Sequence, residues 1–417
     1  MTAERLRQQL SERSPANWEI FRKTAESRAL DSAPAARTER LRREEGWAAR
    51  WWEMGALRFA WAGSEAKLED AISKAAALPG ATETPPAWPS ARNEDAPAQS
   101  NVDAPPDLFA ELARLLSELS KGEARLTHLS IRRGASRERV ENAQGLDVTV
   151  LSERLDGVAS ATGRRGSSAC EARALFRWDA EPDLAVLARR LADGATLPLA
   201  GKTAPFTRGE LLLDPSVASA LLAAVAPLFS RASPPTWVSR GQLFSPRISV
   251  WDDATADAPF DGEGTPTRRL LVVQEGMFRS RLHDLRSAHA AGEEPTGHGV
   301  RPSYRTPPSP LPRRLFVETS RATAPSELLA AVRQGLFASA LTAPVRVDLD
   351  RDRCEIEFTG VAILAGRAQG PVAGARASNR LSEILRRIVG ISTDLRFFPT
   401  PHLVGAPTVL VEGVTFD

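Results

Sequence analysis

Cysteine is nearly absent from this sequence: 417 residues carry two, Cys170 and Cys354, far apart and in no C-x-x-C spacing. That excludes a disulfide scaffold and leaves reduced thiols as the expectation. No apolar run approaches the roughly 18 residues a membrane span needs. The opening segment Met1–Leu10 is charged and helix-like, without the apolar centre of a signal peptide. A soluble, cytoplasmic protein is therefore expected. Charge of one sign is also missing, since 54 basic and 52 acidic residues leave a net charge of +2. Such balance gives no reason to expect non-specific nucleic-acid binding. The basic stretch Arg37–Arg43 contains Glu39 and runs into Glu44 and Glu45, so it reads as a solvated surface.

Familiar catalytic patterns are absent as well. The five histidines, His128, His283, His289, His298 and His402, show no metal-ligand spacing. His298 alone sits in a motif, Thr296-Gly-His-Gly299. Ser167 and Ser168 lie near Cys170, and Ser287 near His289, but no G-x-S-x-G elbow accompanies them. Gly360–Gly374 is glycine-rich without phosphate-binding spacing, which discards nucleotide binding. No repeat of fixed period and no heptad run is visible.

What is present describes a globular protein too long for one small core. Hydrophobic residues make up 42% and charged residues 25%, ordinary values for that class. Two domains are expected, residues 1–200 and 209–417, with Leu197–Arg208 as linker. Near the start, Trp47, Trp51, Trp52, Phe59 and Trp61 alternate with Gly46, Gly55 and Gly63, suggesting strands packed through aromatics and joined by tight turns. Helices are expected at residues 1–13, Ser64–Leu78, 107–119, Pro182–Leu191, Ser326–Leu341 and Asn379–Val389. Pro79–Pro106 is rich in proline and small polar residues and reads as a disordered insertion. Short strands fill Ala124–Ala174, and strands dominate the second half. The class is α+β, with mixed or antiparallel sheets, flanking helices and a β-rich C-terminal domain.

Gly209–Phe229 organises the second half. Leu211–Leu213 has the composition of a buried strand, Asp214 stands at a helix N-cap, and Pro215 takes the first helical position. Val217, Ala220, Leu221, Ala224, Val225 and Leu228 recur at helical spacing. Between Val217 and Leu228 the only polar side chain is Ser219.

Four segments in order carry a resemblance. Leu211-Leu-Leu-Asp-Pro215 leads into Leu221-Leu222. Trp251-Asp-Asp253 precedes Phe260-Asp-Gly-Glu-Gly-Thr-Pro-Thr-Arg-Arg269. Gly276–Leu285 follows as G-x-x-x-x-x-L-x-D-L, and Thr296-Gly-His-Gly-Val-Arg301 closes the series. Together they resemble the TldD/PmbA family, known as modulators of DNA gyrase and as peptidase subunits, strongly from Gly209 to Leu341. In the TldD branch the resemblance implies H-E-x-x-x-H on the helix opened by Asp-Pro, with two histidines for zinc and a glutamate to activate water. The matching positions here are Ala223, Ala224 and Leu228, and the family's C-terminal ligand cysteine has no match in Gln369–Gly374. Cys354, on an expected strand, reads as a packed thiol.

The resemblance therefore points to the TldE/PmbA branch, which has the fold without the zinc site. It implies no catalytic residue and no metal in this chain, zinc in a TldD-like partner, and unfolded or leader peptides as substrate. Asp261, Glu263, Arg268, His298 and Arg301 are the residues expected to touch peptide or partner. By themselves, Asp261 and Glu263 at i, i+2 read as shaping a glycine-rich turn with Arg268 or Arg269 as counter-charge, rather than as an acid–base or metal pair. The alternative function is a stand-alone peptide-binding or scaffold protein.

Overall fold

The computed structural model describes residues 2–90, 92–96, 107–177, 183–238, 241–400 and 402–417. The first half is built on an eight-stranded sheet. Its members are β1 (Trp18–Ala33), β2 (Ala36–Glu53), β3 (Ala56–Ala62), β4 (Ala81–Thr82), β5 (Arg92–Ala96), β6 (Ala124–Asn142), β7 (Leu146–Arg165) and β8 (Ser168–Arg177). The order is β4-β3-β2-β1-β6-β7-β5, with β8 also on β7. Strands β1, β2, β6 and β7 are long antiparallel arms.

Helices α1 (Thr2–Arg13) and α2 (Glu65–Ala76) close one core through Leu6, Leu10, Leu68 and Ile72 against Trp18, Trp47 and Trp51. Helices α3 (Leu108–Leu119) and α4 (Leu184–Ala200) close another through Leu112, Leu116, Leu187 and Leu191 against β6, β7 and β8. The tryptophan cluster thus packs a sheet, as its glycine spacing suggests, although Trp61 remains 46% exposed.

The second half has two further large sheets and a two-stranded pair, Gly299–Val300 with Ser309–Pro310. The larger is eight-stranded and centres on Arg208–Leu213, which pairs parallel with Gln334–Leu341 and antiparallel with Val409–Thr415. The smaller has six strands, with Ser249–Asp253 between Arg269–Gln274 and Arg314–Glu318. Helix α5 (Pro215–Val225) follows the central strand directly. Asp214 caps it, accepting from the Ser216 N–H at 2.8 Å, and Pro215 is its first residue. The α+β class holds, with the β-rich half at the C-terminus.

Three expectations need correction. Pro79–Pro106 is not wholly an unpacked insertion: β4 joins β3, and β5 runs parallel to Leu146–Val150 of β7. Backbone pairing and one aromatic contact, Trp88 edge-on to Trp52 at 5.6 Å, replace the large apolar face the composition lacks. Residues 97–106 lie outside the described residues. The helix expected at Ser326–Leu341 spans only Pro325–Ala331, after which the chain turns into a strand. There Gly335 lies so close to the Glu210 carbonyl that no Cβ would fit, a requirement of the parallel pairing and invisible to periodicity. The expected linker Leu197–Arg208 begins as the last turn of α4, which runs through Pro198 to Ala200.

Candidate functional site

A cleft of about 510 Å³ opens between the sheet arms and the second half. Strand register places its floor on one face. Ala25 opposes Ser136 and Ser27 opposes Gly134 across β1 and β6, while Ser136 opposes Ser152 and Gly134 opposes Arg154 across β6 and β7. Ser27 also opposes Arg42, and Ala25 opposes Glu44, on β2. Because side chains alternate across a strand, these residues share a face of small groups rimmed by charged ones. The far wall is Asp257–Gly262, Val300–Pro302, Leu311–Arg313 and the His402–Leu403 pair.

The far wall depends on a buried ionic network. Asp261 is 3% exposed and accepts from the backbone N–H groups of Glu263, Thr265 and Gly299 at 2.9, 3.0 and 2.8 Å. Glu263 is fully buried and accepts from Arg50 of β2 at 2.7 Å and from the Leu285 N–H at 2.7 Å. Arg50 also reaches Glu19 of β1 at 3.0 Å, and the other oxygen of Glu19 pairs with Arg301. Arg301 donates to the Gly262 carbonyl at 2.7 Å. Two carboxylates and two guanidiniums, drawn from both halves, thus form a quartet linked in the order Glu263, Arg50, Glu19, Arg301. Arg50 lies over Trp88 at 5.1 Å and Arg301 over Phe21 at 4.6 Å, so aromatic faces complete the shell.

Burial raises the carboxyl pKa of Glu263, against the opposing pull of Arg50, and that of Asp261, against its three N–H donors. His298 is fully buried beside the network: its Nε2 lies 3.1 Å from Asp252, and its Nδ1 lies 2.9 Å from Thr296. Asp252 in turn accepts from the Arg313 N–H at 3.0 Å.

Asp261, Glu263, His298 and Arg301 are therefore gathered at one place, where their side chains face each other and backbone amides rather than solvent. Arg268 is not among them; it is exposed and donates to the Pro295 carbonyl. The counter-charge to Glu263 is Arg50, not Arg268 or Arg269, and Arg269 lies instead over Trp251 at 4.5 Å. Sequence reasoning missed Glu19 and Arg50. The available signal was a pair of charges at Glu19 and Arg50 inside otherwise aromatic strands. Ser287 meets His283, not His289: its hydroxyl lies 3.1 Å from His283 Nδ1 and completes the capping box of the short helix Leu285–Ala291.

Helix α5 offers no chemistry. Ala223 and Ala224 present methyl groups at its half-buried side, and Leu228 is packed in the main core. None of the three has a lone pair for zinc, so the donor set does not fit the metal that the resemblance implies for the TldD branch. Cys354 is 1% exposed, and burial pushes its thiol up to about 12, which keeps it protonated and unsuited as a thiolate ligand. Among the described residues no group of three or more His, Cys, Asp or Glu side chains is arranged to hold a metal ion. No helix there is long and apolar enough to cross a membrane.

A profile of the PmbA/TldA metallopeptidase C-terminal domain matches residues 207–417. An uncharacterized protein of Methanocaldococcus jannaschii is 31% identical over 85 residues, 19% of this chain and 20% of its own length. A metalloprotease TldD homologue of Buchnera aphidicola is 19% identical over 191 residues, 42% of this chain and 39% of its own. The chain thus spans well under half the length of these curated relatives. The crystal structure of TldE from Thermococcus kodakarensis superposes with a TM-score of 0.83 at 17% identity, covering 100% of both chains. A protein of Thermotoga maritima described as a modulator of a DNA gyrase gives 0.80 at 17% identity, covering 100% of this chain and 99% of the other. At such identity these likenesses establish the fold.

Proposed function

The chain belongs to the TldD/PmbA metallopeptidase family, and from that premise we propose that it is the non-catalytic, TldE-like subunit of a heteromeric zinc peptidase of the cytoplasm. A TldD-like partner carrying H-E-x-x-x-H supplies the zinc, the glutamate and the proton transfers. This chain contributes a wall and floor of the cleft that receives unfolded or precursor peptides.

The donor-free helix α5 and the 3-10 turn Ala226–Phe229 that follows it carry the proposal: at Ala223, Ala224 and Leu228 the packing of a strand-to-helix turn is kept without any group that can ligate a metal or move a proton. The outer part of β2 adds support for a peptide ligand. Residues 36–46 pair with β1, whereas β3 pairs only with Trp47–Glu53, so among the described residues the outer edge of β2 beside the cleft has no strand partner. An extended peptide can add to such an edge through backbone hydrogen bonds.

The test is elemental analysis and peptidase assay of the purified chain, alone and after recovery from its native cytoplasm. The expected result is no stoichiometric zinc and no cleavage alone, with an H-E-x-x-x-H protein recovered alongside. One zinc per chain, or cleavage by the chain alone, would refute it. Recovery of this chain without such a protein would favour the stand-alone peptide-binding alternative.

A further inference from the structure

We infer that the cleft selects acidic peptide segments, with Arg42, Arg132 and Arg154 recognising their carboxylates; this rests on the peptide-binding function proposed above. The inference comes from which charges in the cleft are already committed. Glu138 pairs with Lys23 at 2.8 Å, Asp156 with Arg177 at 2.7 Å, and Asp257 with Arg313 at 3.6 Å. Glu26 pairs with Arg43 at 3.0 Å and Asp261 is satisfied by three backbone N–H groups, which leaves Glu44 as the one lining carboxylate without an ion pair among the described residues.

Arg42, Arg132 and Arg154 are exposed, line the same cleft and have no ion pair or side-chain hydrogen bond among the described residues. Arg132 and Gly134 are neighbours on one face of β6, and Gly134 is register partner to both Ser27 of β1 and Arg154 of β7. Ser27 in turn opposes Arg42. The three guanidiniums therefore rim a floor of alanine, serine and glycine, and the small floor residues leave room above them for an extended chain. Nearby His402 is held below the usual imidazole range, chiefly by burial, with Arg154 adding to the effect, so at neutral pH it adds no competing charge. Set against the single carboxylate of Glu44, the three guanidiniums leave the cleft a net positive surface, planar and suited to bidentate contact with carboxylates.

A nucleic-acid phosphate would meet the same guanidiniums, but the sheet floor presents no aromatic ring on which a base could stack. The acidic peptide is the better match.

Fluorescence anisotropy with the full chain tests this, using labelled unstructured peptides of equal length that are rich in Asp and Glu, neutral, or rich in Lys. The acidic peptide is expected to bind roughly tenfold more tightly than the neutral one, and the preference should shrink as salt is raised. The double variant Arg132→Gln/Arg154→Gln should lose most of that preference, while Arg173→Gln/Arg367→Gln, an equal charge change outside the cleft, should retain it. Equal binding of acidic and neutral peptides, or a preference untouched by the first double variant, overturns the charge selection and leaves peptide binding standing. Binding of no peptide overturns both. A single-stranded oligonucleotide that outcompetes the acidic peptide also overturns it.

Discussion

The inner face of helix α5 and the turn at Asp261–Glu263 are both sealed from water, but hydrocarbon lines one and ions line the other. Around α5, Val217, Leu221, Leu222 and Val225 pack with Leu211, Leu213, Leu336 and Ala338 in the main core. Around the turn, Glu263, Arg50, Glu19 and Arg301 take each other's charge at the seam between the two halves. An apolar contact is non-directional and tolerates substitution if volume is kept. A buried ion pair repays its desolvation only while both partners remain. The first region therefore fixes a helix without fixing its chemistry, which fits a place where ligand residues can be absent without loss of fold. The second fixes the position of one half against the other, and with it the shape of the cleft.

The largest effect should come from breaking the ionic seam. Arg50→Ala strands Glu19 and Glu263 without their shared cation, and about 3–5 kcal/mol of stability should be lost in chemical denaturation. A loss under about 1 kcal/mol would mean that the quartet is not what joins the halves. In the apolar region Leu221→Ala should cost about 2–4 kcal/mol through cavity formation. Leu221→Met, which keeps the volume, should stay below about 1.5 kcal/mol. A Met variant as damaging as the Ala variant would erase the contrast, because shape would then be as strictly enforced here as charge is at the seam.

How far each region can be read from sequence follows the same division. The cap at Asp214, Pro215 at the first helical position and the apolar spacing of α5 are local signals, and the strand and helix appear where they indicate. The ionic seam is not local: Arg50 and Glu263 are 213 residues apart and Glu19 and Arg301 are 282 apart, so nothing in the neighbourhood of Asp261 names its counter-ions. Arg268 and Arg269 were near in sequence and turned to the surface. The strand at Gln334–Leu341 was hidden because Leu336, Phe337 and Leu341 also fit a helical face, and only the parallel partner at Glu210–Leu213 decides between them. Ala25 and Ser27 of β1 and Gly134 and Ser136 of β6, small residues two apart, mark a shared face. Which face meets which depends on register.

A pH series sharpens the comparison next. Burial raises the folded-state pKa of Glu263 above the 4.5 of the free group. Between those two values the folded chain holds a proton that the unfolded chain releases, so this group's contribution favours folding at low pH and is withdrawn as pH rises through the folded-state pKa, above which Glu263 is the carboxylate paired with Arg50. Stability should fall across that window, and Glu263→Gln should flatten the profile. Measurements kept above pH 5 leave Asp147 ionised, since Arg139 holds it below the usual carboxylate range. An unchanged slope in the Gln variant would show that the proton is held elsewhere in the network. Leu221→Ala, by contrast, should lower the curve without altering its slope.

The smallest effect concerns the one polar atom inside the apolar region. Ser219 is fully buried on α5, and its hydroxyl has no hydrogen-bond partner among the described residues. Burying an unpaired hydroxyl is unfavourable, and alanine is the better helix former. Ser219→Ala should therefore raise stability by about 0.5–1 kcal/mol, read as a higher denaturation midpoint with an unchanged denaturant slope. A loss of more than about 1 kcal/mol would mean that the hydroxyl is engaged after all. The helix would then keep a polar function that its alanines conceal, and its description as packing without chemistry would have to be withdrawn.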